Sequence, residues 1–376
     1  MNKKDMAQIR RRLNPEKCSI PSIVGCFVND QGDVITTFDR PLINMPKEDI
    51  EEHLALFKKV LSGTEGQNLL HAEFTPEQVM ESPEYNILKG LRDTRLRDDG
   101  VLDYFCEKVR SSLVIEGSYV ILLLTDTYDV PRHFKDGERQ EDAETNMFTY
   151  VMCAVCPVKL RATGLAYDAG DSLFHAGGSD FAVCAPECGF MFPAFEEGGA
   201  NLYRALYYTK DQADNKEELV RALFGTPMPA PAAEQKQTIG ELLENALQEE
   251  CSVEVMQAVQ ETVRTRIDEK KQAKDPEPPV ITVQDMESAL AACGVSEEKT
   301  EAFRQQYDQV IGTHNSVPAV NITPPRQFEV RTPDVVIKVS PERTDLVETR
   351  VIDGLKYILI RADEGVEVNG VNVSIR

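Results

Sequence analysis

At 376 residues, with 41% hydrophobic and 28% charged side chains, the chain has the size and composition of a soluble protein built from two or three globular units. A formal charge of −22 sets most of the surface against nucleic acid and anionic lipid. The longest aliphatic run, Val120 to Leu124, is far short of the roughly 20 apolar residues that a bilayer-crossing helix needs, so no membrane segment is expected.

The N-terminus, MNKKDMAQIRRRLNPEK, is basic but continues into polar sequence where a secretory signal would be apolar. A cytoplasmic location is therefore expected. There the nine cysteines should be reduced and act as metal ligands, reactive thiols or packing residues. Within residues 1–17, Lys3, Lys4, Arg10, Arg11, Arg12 and Lys17 outnumber Asp5 and Glu16, while Met6, Ile9 and Leu13 recur at helical spacing. This is a basic amphipathic helix. Either it docks on the acidic body, or it uses Lys3, Lys4, Arg10, Arg11 and Arg12 to grip nucleic acid, the ribosome or an acidic partner.

Residues 22–38 read as strand, Asn-Asp-Gln-Gly turn, strand. A helix follows, with Pro46 in its first turn, a stripe of Ile50, Leu54, Phe57 and Leu61, and Gly63 at its end. Thr75-Pro76-Glu77-Gln78 has the form of a capping box, Ser82-Pro83 restarts a helix, and Asp99 is placed to cap another, whose apolar face holds Leu102, Phe105, Cys106 and Val109. Residues 117–130, 147–160, 180–195 and 200–210 are β candidates. Residues 18–225 thus read as an α+β domain whose mainly antiparallel sheet is covered by the helices of 46–113.

The Pro-, Ala- and Gln-rich stretch 226–237 reads as a linker. Residues 238–312 read as a helical segment: two helices over 238–273, then a pair over 282–311 divided by Gly294 and recapped at Ser296. Glu297, Glu298, Glu301 and Asp308 give the last of these the wrong sign for a major groove. Residues 325–376 alternate in β fashion, with Asp353-Gly354 and Asn369-Gly370 at hairpin turns, and read as a small C-terminal β-meander.

Two groups of residues raise the question of chemistry. Cys153 and Cys156, with Cys184 and Cys188, have roughly the separation of two halves of a zinc ribbon. At a spacing of three inside a strand, however, the first two leave opposite faces. Phe148, Tyr150, Met152 and Ala154 share the face of Cys156, and Val151 and Val155 that of Cys153, so buried cysteines are the reading adopted. The acidic loop 126–144 offers Asp126, Asp129, Glu141 and Asp142, with His133, as candidates for Mg²⁺ binding or acid–base work. Its interleaved Arg132, Lys135 and Arg139 favour a solvated connection. His175 could partner Cys184, though its glycine-rich surroundings read as a polar turn. No cofactor is predicted, zinc at the thiols and magnesium at the carboxylates being the alternatives. Walker A, G-x-G-x-x-G, G-x-S-x-G and H-E-x-x-H patterns do not occur.

At the N-terminal segment quoted above, and at DTYDVPRHFKDGERQEDA, CPVKL, GFMFPAF, ALYYTKD, PAAEQK and the run from FEVRTPDVVIKV to GVEVNGV, the chain resembles a bacterial family known as domain of unknown function 4317. The resemblance extends along nearly the whole length. It implies an intracellular protein and brings no reaction, ligand or catalytic residue with it.

The function expected from the sequence is that of a macromolecular binding or regulatory factor without chemistry of its own, with a protein as partner and the terminal β-module as recognition surface. A nucleic-acid- or ribosome-associated factor using the basic arm is one alternative. A metal-assisted hydrolase or transferase using loop 126–144 is the other.

Overall fold

Most of the β-rich runs before residue 210 pair into one large antiparallel sheet in a computed structural model, which describes residues 1–130, 146–160, 165–168, 173–176, 181–196, 198–275, 277–313, 315–324, 327–362, 365–368 and 370–374. The chain divides into two units, Met1–Pro231 and Ala232–Arg376.

In the first unit, β1 (Ser22–Val28) and β2 (Val34–Pro41) form a hairpin. Its turn is closed by the Asn29 side chain, which accepts hydrogen bonds from the backbone N–H groups of Gln31 and Asp33. The remaining strands are β3 (Leu69–Glu73), β4 (Tyr119–Val130), β5 (Asn146–Leu160), β6 (Leu165–Asp168), β7 (Leu173–Ala176), β8 (Phe181–Val183), β9 (Cys188–Phe192), β10 (Ala194–Glu196), β11 (Gly199–Asn201) and β12 (Arg204–Thr209). The sheet has eight strands in the order β2-β1-β4-β5-β9-β12-β3, with β8 pairing on β5. Edge strand β3 is a five-residue segment that pairs with β12, from Glu73↔Arg204 to Leu69↔Tyr208.

The helices are α1 (Lys3–Arg12), α2 (Lys47–Val60), α3 (Pro76–Glu81), α4 (Pro83–Asp93), α5 (Asp99–Ser112) and α6 (Glu217–Phe224). They lie on both sides of the sheet, and each side has its own core. On one face, Val151, Cys153 and Val155 of β5 join Phe190 and Tyr207 beneath Leu88, Phe105 and Phe224 of α4, α5 and α6. On the other, Phe148, Tyr150, Met152, Ala154 and Cys156 pack with Met6 and Ile9 of α1 and Leu54 and Phe57 of α2. The period-two pattern of β5 thus divides its side chains between two cores, as a central strand requires. Close packing of α2 needs glycine at 189: a Cβ there would stand 2.4 Å from the Cys153 carbonyl oxygen and 2.8 Å from Val60 Cγ2.

Of the two readings of residues 1–17, the structure has the docked helix, with Met6, Ile9 and Leu13 buried in the core of the first unit. Other local expectations need correction. The α5 cap is Asp98, whose side chain accepts from Val101 N–H, one residue before the aspartate expected from the sequence. Asp126 and Asp129 belong to β4, because Thr125, Thr127, Tyr128 and Val130 favour a strand and pairing with β5 continues to Val130↔Asn146. Residues 232–237 of the expected linker are already helical: once Pro231 is passed, Ala-Ala-Glu-Gln-Lys-Gln is a run of good helix formers.

In the second unit, α7 (Ala232–Leu247), α8 (Val253–Gln272), α9 (Val283–Ala292) and α10 (Glu297–Val310) enclose Leu243, Val259, Met286, Leu290, Phe303 and Tyr307. β13 (Val280–Ile281) pairs with β14 (Val317–Pro318). Ser296 stands at the start of α10, but its hydroxyl donates to Glu250 instead of capping the helix. The C-terminal β segment forms three hairpins: β15 (Phe328–Arg331) with β16 (Val336–Val339), β17 (Val347–Ile352) with β18 (Leu355–Ile360), and β19 (Val366–Val368) with β20 (Val371–Val373). Each is its own two-stranded sheet, so the β-meander of the sequence reading is a row of hairpins. Among the described residues no helix is long and apolar enough to cross a membrane.

Candidate functional site

The basic helix is held by one of its cations, Arg12, and by its apolar stripe. Asn2 caps α1 and forms a capping box with Asp5, which is buried on the inner side of the helix. At the other end, Arg12 donates from Nε to Asp126 Oδ2 at 3.0 Å and from Nη2 to Oδ1 at 3.2 Å. Asp126 is 1% exposed and also accepts from Ser19 N–H at 2.8 Å and from the Tyr150 hydroxyl at 3.0 Å. Burial, reinforced by the charge of Asp126, pushes the Tyr150 hydroxyl well above its ordinary pKa and keeps it a donor. The Arg12 guanidinium also lies 4.4 Å from the centre of the Tyr128 ring. Arg12 is therefore an anchor for the helix.

The outward side of α1 lines a cleft of about 890 Å³. Lys3, Lys4, Arg11 and Lys17 border it, with Gln8 and Tyr128. These four cations have no acidic partner among the described residues, and their side chains are exposed. Gln8 Nε2 donates to the Tyr128 hydroxyl at 2.7 Å. Of the five basic residues chosen from the sequence, Lys3, Lys4, Arg11 and Arg12 line the cleft, the first three without an acidic partner among the described residues and Arg12 paired with Asp126, and Arg10 is not in the lining. Lys17 is among the basic residues of the segment but not among the five chosen, and Gln8 and Tyr128 were missed. Tyr128 had a signal, being two residues from Asp126 on the same side of β4.

The other candidate groups are not brought together. Asp126 already accepts from four chain donors, and Asp129 leaves the opposite side of β4. His133, Glu141 and Asp142 lie outside the described residues, as does the side chain of His175. Cys153 and Cys188 lie in one core and Cys156 in the other, while Cys184 follows β8 and is half-buried. Among the described residues no group of three or more His, Cys, Asp or Glu could hold a metal ion.

Burial raises the pKa of all three core thiols, that of Cys188 to about 12 and that of Cys153 well above its ordinary value. Under brief native treatment with iodoacetamide, Cys153, Cys156 and Cys188 should stay unmodified while exposed Cys293 reacts. Peptide mass mapping before and after unfolding checks this. Rapid native labelling of Cys153 would contradict the buried placement.

The second exposed feature lies in the other unit. The β17–β18 hairpin turns at Asp353 and Gly354, both in the left-handed region at φ 52° and 77°, as a two-residue hairpin turn requires. Its base is tied to α8: Gln257 Nε2 donates to the carbonyls of Thr344 and Val347, at 2.8 and 3.0 Å. Val347 is buried there. Beyond the base the hairpin is apolar and open, with Val351 69% and Leu355 62% exposed, followed by Tyr357 and Ile360. Strand alternation puts Ile352, Leu355 and Tyr357 on one face of the hairpin and Val351 and Ile360 on the other, so both faces carry exposed apolar side chains.

A family model described as Domain of unknown function (DUF4317) matches residues 1–371 of the chain. No curated protein matches the sequence.

Proposed function

Starting from the fact that the chain belongs to the DUF4317 family, we propose that it is a non-catalytic binding factor that recognises a protein partner through its C-terminal hairpins. The observation that carries this reading is the exposure of Val351, Ile352, Leu355, Tyr357 and Ile360 on a hairpin whose base is fixed to α8. A pre-positioned strand with a free edge and apolar side chains can be extended by a partner's strand, its backbone giving affinity and its side chains specificity. Among the described residues the candidate carboxylates and thiols are not gathered into one site: Asp126 is occupied by the chain's own donors, and the central cysteines are split between two cores.

The test is affinity capture by the tagged full-length protein from host extract at low and high salt, beside the Val351→Asp/Leu355→Asp variant. Both positions are exposed, so the fold should tolerate the change. A protein retained at high salt by the wild type and lost by about tenfold or more with the variant supports the reading, two desolvated anchor contacts having that weight. Equal capture by the two proteins would move the interface elsewhere.

A further inference from the structure

We propose that the cleft beside α1 is a binding site for a compact polyphosphate: the linked phosphates of pyrophosphate or of a nucleoside di- or triphosphate. The site is in the other unit from the hairpins and does not depend on the reading given for them.

The first argument is the supply of charge. Lys3, Lys4, Arg11 and Lys17 border one cavity and are not neutralised by any acid among the described residues. In a chain of net charge −22, such a local excess of cations favours an anionic ligand. Phosphate oxygens accept charge-assisted hydrogen bonds from lysine ammonium and arginine guanidinium groups.

The second argument is that the cations are held in place. The apolar side of α1 is buried through Met6, Ile9 and Leu13, and its C-terminal end is fixed by the paired Arg12 and Asp126. A helix so anchored fixes the backbone from which Lys3, Lys4 and Arg11 project, which lowers the ordering cost when a ligand arrives. The Tyr128 hydroxyl accepts from Gln8, and its own O–H has no acceptor among the described residues. It is an uncharged donor at the same cleft, available to a phosphate oxygen.

Size and surroundings decide between a compact ligand and a long one. Lys3 and Arg11 are eight residues apart on the helix, about 12 Å at 1.5 Å per residue. The cleft volume of about 890 Å³ falls in the range of small-molecule sites, roughly 300–1,000 Å³. Linked phosphates concentrate charge within that span. A nucleic-acid strand would have to continue past it over the surface of a chain of net charge −22, whose repulsion acts over a Debye length of about 10 Å.

The experiment is equilibrium dialysis of the full-length protein, in buffer with EDTA, against pyrophosphate, ATP, orthophosphate and a 12-nucleotide single-stranded RNA. Two variants accompany the wild type. Lys4→Gln/Arg11→Gln/Lys17→Gln removes three charges from exposed positions, and Tyr128→Phe keeps the ring on which Arg12 rests. The expected result is saturable binding of pyrophosphate and ATP, one per chain and mutually competitive. It should weaken at least tenfold in the triple variant and a few-fold in Tyr128→Phe, with circular dichroism unchanged in both. ATP binding much more tightly than pyrophosphate would identify a nucleotide as the source of the phosphates; equal affinity would identify the phosphate chain alone. Absence of saturable binding at millimolar pyrophosphate and ATP overturns the proposal, as does binding that the triple variant leaves intact. RNA binding that pyrophosphate does not displace would also overturn it, assigning the basic face to nucleic acid.

Discussion

Asp126→Ala should destabilise the Met1–Pro231 unit by about 3–5 kcal/mol, the cost of removing one partner of a buried ion pair. The carboxylate receives two hydrogen bonds from Arg12, one from the Ser19 backbone and one from Tyr150. Alanine would leave Arg12 Nε, the Ser19 N–H and the Tyr150 hydroxyl without an acceptor and Nη2 with only the Thr127 carbonyl, the guanidinium lying in a largely buried setting. For a unit of this size the loss corresponds to a fall in Tm on the order of 10 °C. Because α1 would lose its C-terminal anchor, residues 1–17 should also gain amide exchange and protease sensitivity. Arg12→Met in the same background should recover part of the loss, since no buried charge then lacks a partner. A double-mutant cycle read by urea titration measures that coupling. If Asp126→Ala changes stability by less than about 1 kcal/mol, the pair is not the anchor described, because exposed pairs are worth that little.

Phe224→Ala should cost a similar amount, about 3–5 kcal/mol, through lost contact and the cavity left behind. Phe224 closes α6, is fully buried, and meets the rings of Phe74, Phe190 and Tyr207 at 6.3, 5.7 and 5.9 Å between centroids. These rings come from different parts of the chain, so the aromatic cluster ties α6 to strands β9 and β12. Phe224→Leu keeps most of the volume and should cost under about 1.5 kcal/mol. The measurement is the urea midpoint of the three proteins at unchanged slope. Equal losses for leucine and alanine would show that ring contacts, and not volume, set the stability here.

Both sites show how far the sequence could be read. The amphipathic helix at the N-terminus, the hairpin at 22–38, the capping box at Thr75 and the turn at Asp353-Gly354 follow from short-range rules, and each is in the structure. The parity of β5 also followed, and with it the separation of Cys153 from Cys156. Strand β3 and helix α6 were not read at all. β3 is five residues long and owes its identity to pairing with β12, well over a hundred residues later. α6 is eight residues long, preceded by Lys216 without a side-chain cap, and is held by packing on α4 and α5.

The sequence by itself determined that residues 1–17 form a basic helix with one apolar side, because helical periodicity and charge are properties of neighbouring residues. It also determined that both faces of β5 are buried, because alternation along a strand is local. Only the tertiary structure decided what the charges do. Arg11 and Arg12 are adjacent in the chain and both line the cleft, but about 100° of helix rotation leaves the first exposed and brings the second to Asp126, more than a hundred residues away. Asp126 read as a carboxylate in an acidic loop. The pairing of β4 with β5 placed it inside the fold, where low dielectric makes Arg12, Ser19 and Tyr150 its obligatory partners.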